Sequence, residues 1–103
     1  MRADLLLHFD DELDAALRLA QACRIPKATV EQHRFPDGEL RLQLPTPLPG
    51  RVVLLRTLDR PNDKLVELLL TARTARELGA AHLTLIAPYL AYMRQDIAFH
   101  PGE

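Results

Sequence analysis

The chain has 103 residues, 48% hydrophobic and 26% charged, which is globular composition and enough for one domain with a modest core. Its 13 Lys and Arg against 14 Asp and Glu leave a formal net charge of −1, so general nucleic-acid binding and a charged membrane surface find no support. Any phosphate site must therefore be local and geometric. Cys23 is the single cysteine, which excludes an intrachain disulfide and a cysteine zinc cluster and fits a reduced, cytoplasmic setting. No apolar stretch is long enough to span a bilayer, and Asp4, Asp10, Asp11 and Glu12 interrupt any signal-peptide pattern. His8, His33, His82 and His100 are scattered without metal-ligand spacing.

The first element is the apolar run Leu5 to Phe9, which predicts a buried strand. Asp10 or Asp11 can cap the helix that follows, whose apolar face at helical spacing is Leu13, Ala16, Leu17, Ala20 and Cys23. Ile25-Pro26 ends that helix. Thr29 to Phe35 predicts a second strand, Pro36-Asp37-Gly38 is turn chemistry, and Leu40, Leu42 and Leu44 alternate with polar residues. The stretch 28–44 therefore predicts a β hairpin. At its tip, Phe35 offers an aromatic face and Asp37 and Glu39 offer acceptors, although spacing alone favours a plain turn.

After a proline-rich loop, 45–50, the run Arg51 to Thr57 predicts a buried strand. Asp59 or Asn62 can cap a long helix whose apolar face is Leu65, Leu68, Leu69, Ala72 and Leu78, with Glu67 and Glu77 on the other side and Gly79 just past its end. The run His82 to Ala87 predicts another buried strand, stopped by Pro88. Strand, helix and strand over 51–87 imply a right-handed parallel crossover. The expected architecture is α/β: a three-layer, mostly parallel sheet with helices on its faces and an appended β hairpin.

Just past the last strand stand Arg94, Gln95 and Asp96: a guanidinium fork suited to phosphate, an amide that both donates and accepts, and a carboxylate. The carboxyl ends of strands are where open α/β sheets bind ligands. A strand-to-helix loop with ordinary surface charges is an equal reading of these residues by themselves. Neither a Walker glycine loop nor a dinucleotide fingerprint is present.

Three stretches, Phe35-Pro-Asp-Gly-Glu39, Pro61-Asn-Asp-Lys-Leu-Val-Glu-Leu-Leu69 and Pro88-Tyr-Leu-Ala-Tyr-Met-Arg-Gln-Asp96, occur in this order. Together they resemble the amino-terminal domain of phosphoribosyl pyrophosphate synthetase, also called ribose-phosphate diphosphokinase, from about Leu5 onward. The resemblance implies a phosphoribosyltransferase-like fold. It also implies transfer of diphosphate from ATP, with Mg2+, to ribose 5-phosphate, giving 5-phosphoribosyl 1-diphosphate and AMP for nucleotide biosynthesis. It makes 1–103 a single domain of a two-domain subunit whose carboxy-terminal domain lies outside this sequence, in a dimer or hexamer. The ATP-binding residues it implies are Phe35, Asp37, Gly38 and Glu39 of the hairpin, donated to a neighbouring subunit, and Arg94, Gln95 and Asp96. It assigns no catalytic residue and no protein metal ligand to this chain, which by itself is expected not to turn over.

The sequence departs from the family pattern in places. His8-Phe9-Asp10-Asp11 replaces small residues after the first strand, Met93 stands where alanine is common, and Ile97-Ala-Phe-His100 replaces basic residues. The alternative reading is a truncated, non-catalytic relative that binds or regulates full-length subunits.

Overall fold

The alternation of one apolar run explains the layering. In the computed structural model, which describes residues 2–103, Leu5–His8 forms β1 and Arg51–Leu55 forms β5, and the two pair in parallel at the centre of the sheet. Successive strand residues face opposite sides. Leu6, Val53 and Leu55 turn to one face, where they meet Ala16 and Ala20 of α1 (Leu13–Cys23). Leu7, Val52 and Leu54 turn to the other, where they meet Ala75 of α2 (Pro61–Glu77). Each fully buried leucine or valine of these strands is worth about 1.5–3 kcal/mol of burial, so the central pair anchors the fold.

The parallel sheet has the order β2-β1-β5-β6, with β2 at Lys27–Thr29 and β6 at His82–Ile86. The β1-to-β2 and β5-to-β6 crossovers run in opposite directions across it. Right-handed crossovers then put α1 and α2 on opposite faces, and the three expected layers result. A separate antiparallel pair, β3 (Glu31–Arg34) with β4 (Leu40–Gln43), is the appended hairpin.

Several sequence expectations are corrected. The hairpin is shorter than 28–44: Lys27–Thr29 joins β1 in the main sheet, and Val30, fully buried and donating its N–H to the His8 carbonyl at 2.7 Å, separates it from β3. The β6 run was expected to be buried, but it is a sheet edge, and Leu85 is 41% exposed.

The helix faces are also rotated from the leucine pattern. In α1 the buried residues are Ala16 and Ala20, while Leu13, Leu17 and Cys23 are exposed. The small alanines let the helix approach the sheet, and longer side chains are left to the flanks. In α2 the buried residues are Glu67, Thr71 and Ala75, whereas Leu65 and Leu69 are exposed. Glu67, expected on the solvent side, is drawn in by Arg56.

Neither helix is capped by the carboxylate or amide expected to do so. Asp10–Glu12 forms a short 3-10 turn, Arg60 stands at the N-cap of α2, and neither helix start carries a side-chain capping bond. At the other end of α2, Gly79 takes φ 116°, the left-handed stop that a glycine past the helix end allows.

Candidate functional site

Two loops leave the carboxyl ends of β5 and β6 side by side. Arg56 N–H donates to the Ile86 carbonyl at 3.0 Å and Leu58 N–H to the Tyr89 carbonyl at 2.9 Å, so the exit of β5 is stitched to the exit of β6. Between them opens a cleft of about 400 Å³, lined by residues 59–61 and 89–95. This is the sheet end at which α/β folds bind ligands.

The cleft is built from strained backbone. Of the three non-glycine residues with positive φ among the described residues, Arg60 (52°) and Tyr92 (62°) both line it. A left-handed conformation costs a side-chain-bearing residue about 1–2 kcal/mol, and such outliers gather where a loop must be held for a ligand. The Tyr92 hydroxyl donates to Asn62 Oδ1, tying the 89–95 loop to the start of α2. Pro61 opens that helix without an N–H of its own, and the N–H groups that follow it are the unpaired donors of a helix start. Lys64 bonds to Asp59 across the mouth, and that bond holds the Asp59 carboxyl below its ordinary pKa.

At the β5 exit lies a charge cluster around the buried Arg56 that sequence reasoning missed. Arg56 donates to Glu67 Oε1 from Nε at 3.0 Å and from Nη2 at 2.7 Å, and its Nη1 donates to Asp11 Oδ1 at 2.5 Å and Glu12 Oε1 at 3.0 Å. Its guanidinium carbon also sits 4.3 Å from the centre of the Phe9 ring, a cation–π contact. Glu12 further accepts from the Thr57 N–H at 3.0 Å. One side chain therefore joins the β1 exit, the entry to α1, the β5 exit and α2. The signal in the sequence was an arginine closing an otherwise apolar strand run, with Glu67, Thr71 and Ala75 spaced by four on one helix face.

The expected site residues divide into two groups. Arg94 and Gln95 line the cleft. Among the described residues no ion pair uses Arg94 or Asp96.

Phe35, Asp37, Gly38 and Glu39 form the hairpin tip. Asp37 Oδ1 accepts from the Glu39 N–H at 2.9 Å, Gly38 takes φ 94°, and Phe35 N–H donates to the Glu39 carbonyl at 2.8 Å. Phe35 is 40% exposed and meets His33 edge to face at 4.7 Å. Gly38 and Glu39 line a separate hollow of about 310 Å³ against Asp63, Val66 and Leu70 of α2. Within one chain, then, the hairpin tip does not line the Arg94 cleft.

Residues 5–103 match the sequence model of the N-terminal domain of ribose phosphate pyrophosphokinase. Over 87 residues the chain is 45% identical to a ribose-phosphate pyrophosphokinase of Methanopyrus kandleri, covering 84% of this chain and 30% of that protein. It is 49% identical over 87 residues to the one from Saccharolobus solfataricus, covering 82% of this chain and 30% of that protein. The chain thus spans about a third of the length of the curated relatives it matches.

A solved purine phosphoribosyltransferase from Pyrococcus horikoshii superimposes with a TM-score of 0.63 at 20% identity, over 87% of this chain and 66% of that one. That likeness shows a phosphoribosyltransferase-like fold. On the family match and the identity to these relatives, the chain belongs to the N-terminal-domain family of the ribose phosphate pyrophosphokinases.

Proposed function

We propose that this chain supplies the ATP-binding portion of a cytoplasmic ribose-phosphate pyrophosphokinase, which transfers diphosphate from ATP to ribose 5-phosphate and releases AMP. The observation that carries this reading is the cleft at the β5 and β6 exits, with Arg94 in its lining and without an ion-pair partner among the described residues. A free guanidinium beside an uncapped helix start is suited to an anionic phosphate chain.

The hairpin residues Phe35, Asp37, Gly38 and Glu39 fit an adenine contact made in a neighbouring copy. Phe35 presents a half-exposed ring for stacking, and the tip lies apart from its own chain's Arg94 cleft. A homo-oligomer, dimer or hexamer, would bring tip and cleft together.

Magnesium is expected to arrive with the ATP phosphates. The resemblance assigns no protein metal ligand to this chain. By the family resemblance, the groups expected to stabilise a diphosphoryl transition state, Arg94 apart, belong to the carboxy-terminal part of the subunit. We therefore expect no turnover from the 103-residue chain by itself.

Calorimetric titration of ATP with magnesium into wild type, Arg94→Ala and Phe35→Ala tests the reading. Loss of the Arg94 contact should weaken binding about 10- to 100-fold, as removal of a charged hydrogen bond does. Equal affinity of wild type and Arg94→Ala would overturn it.

A further inference from the structure

Successive backbone amides at the end of β5 find partners on alternate sides. Arg56 N–H and Leu58 N–H point towards β6 and donate to the Ile86 and Tyr89 carbonyls. Thr57 N–H, between them, points the other way, towards β1, as the alternation of an extended chain requires. No strand is left there to receive it, because the last rung between β1 and β5 is Leu7 opposite Leu54. A carboxylate takes the place of the missing strand carbonyl. Glu12 accepts the Thr57 N–H on both oxygens, Oε1 at 3.0 Å and Oε2 at 3.1 Å.

Glu12 is itself held in place. Its side chain is 9% exposed, its Oε1 also accepts from Arg56 Nη1 at 3.0 Å, and its backbone closes the Asp10–Glu12 turn as the N-cap of α1. The turn it grips needs a tether. That turn runs from Thr57 through the buried Leu58 to Arg60, whose φ of 52° is unfavourable for a residue with a side chain and which begins α2 without a capping side chain. Such a conformation persists only where its surroundings hold it. The helix holds one end, and Thr57 is the other. Asp59, Arg60 and Pro61 then line the cleft.

We infer that Glu12 is a positioning residue for the cleft: its carboxylate stands in for a strand at Thr57, holds the strained 57–60 turn and so fixes the wall formed by residues 59–61. It acts through the backbone and touches no ligand. What the role requires is an acceptor oxygen at the right reach, not a negative charge, because Arg56 keeps Glu67 and Asp11 as partners. The identity of the ligand rests on the nucleotide reading above.

Two variants of the full chain separate reach from charge. Glu12→Asp keeps the charge but is one methylene shorter, so it draws back from the Thr57 N–H, and aspartate still suits a helix N-cap. Glu12→Gln loses the charge but keeps an acceptor oxygen at full reach. Amide hydrogen exchange, read residue by residue, needs no ligand. Thr57 should exchange about tenfold faster in Glu12→Asp and within about threefold of wild type in Glu12→Gln, as loss of one hydrogen bond to a charged group implies. Calorimetric titration with ATP and magnesium should follow the same order, about tenfold weaker for Glu12→Asp and about threefold or less for Glu12→Gln. Asp11→Asn removes a charge beside Arg56 and leaves Thr57 alone, and it should bind as wild type does.

Unchanged Thr57 exchange in Glu12→Asp overturns the inference whatever binds. The reverse order, with Glu12→Gln weak and Glu12→Asp intact, also overturns it, because the charge beside Arg56 would then be what matters. So does faster Thr57 exchange with unaltered ATP affinity, and the nucleotide reading then survives on the Arg94→Ala deficit. Absence of nucleotide binding in wild type removes the reading and the inference together.

Discussion

Arg56 and Glu67 form an ion pair sealed from water. Nε and Nη2 of the arginine reach the same carboxylate oxygen, Oε1, at 3.0 and 2.7 Å, and the two side chains are 2% and 3% exposed. Burial alone would lower the arginine pKa, but the hydrogen bonds it donates to Asp11 and Glu67, with their negative charges, outweigh it, and the pKa ends above its ordinary value. The pair carries a penalty on both sides: each charge is tolerable only because the other is present.

Glu67→Ala should therefore destabilise the chain by about 3–5 kcal/mol, the cost of leaving one partner of a buried pair uncompensated. That is a large part of the stability of a small domain. Urea denaturation measures it. A loss under 1 kcal/mol would mean that Asp11 and Glu12 satisfy the guanidinium without Glu67.

Thr71 offers the opposite case. Its side chain is fully buried on the sheet-facing side of α2, and Oγ1 has no hydrogen-bond partner. Thr71→Val keeps the shape and removes the unpaired hydroxyl, and helix propensity barely changes. The variant should gain about 1 kcal/mol, read as a higher urea midpoint at unchanged slope. A destabilised variant would point to a hydroxyl partner such as buried water.

Gly79→Ala should cost roughly 1–3 kcal/mol. The residue has φ 116°, and an added Cβ would stand 3.1 Å from the Leu48 carbonyl oxygen, a backbone atom with little room to move. The Leu48 N–H donates to the Leu78 carbonyl at 3.1 Å, so the proline-rich loop is pinned to the end of α2 at this point. Gly50→Ala, with nothing near its added Cβ, is the control and should be close to neutral. Thermal melts of the two variants decide.

Tyr92→Phe should loosen one loop and leave the fold alone. It removes the hydroxyl that donates to Asn62 Oδ1 but keeps the ring, and both residues are exposed. A single hydrogen bond of about 0.5–1.5 kcal/mol would then be lost locally, raising the open population about 2- to 10-fold. Trypsin cleavage after Arg94 should accelerate by that factor while the urea midpoint stays fixed. Unchanged cleavage would show that the tether does not hold the loop.

The order of elements was legible from the sequence because each carries a local signal. The runs Leu5 to Phe9 and Arg51 to Thr57 are short and apolar, α1 and α2 recur at helical spacing, and Gly79 marks the helix stop as expected. Asp37-Gly38 placed the hairpin turn, and the motifs around residues 35–39 and 94–96 pointed to a family that the relatives bear out. All of these signals are short-range: a few residues and their immediate neighbours suffice to write them.

Tertiary structure decided what depends on partners distant in the chain. The leucine pattern of α2 predicted a face through Leu65 and Leu69, yet Leu69 is 69% exposed and Glu67 is buried, because Arg56, 11 residues earlier, demands a carboxylate under the sheet end. Asp11 was read as a helix cap and instead pairs with that same arginine across 45 residues. Gln95 was read as a ligand contact, and only the folded loop shows its two amide protons already given to Ile97 and Glu103. A sequence records which groups can donate and accept. Which of them remain available to a ligand is fixed when the fold brings the competing partners within about 3 Å.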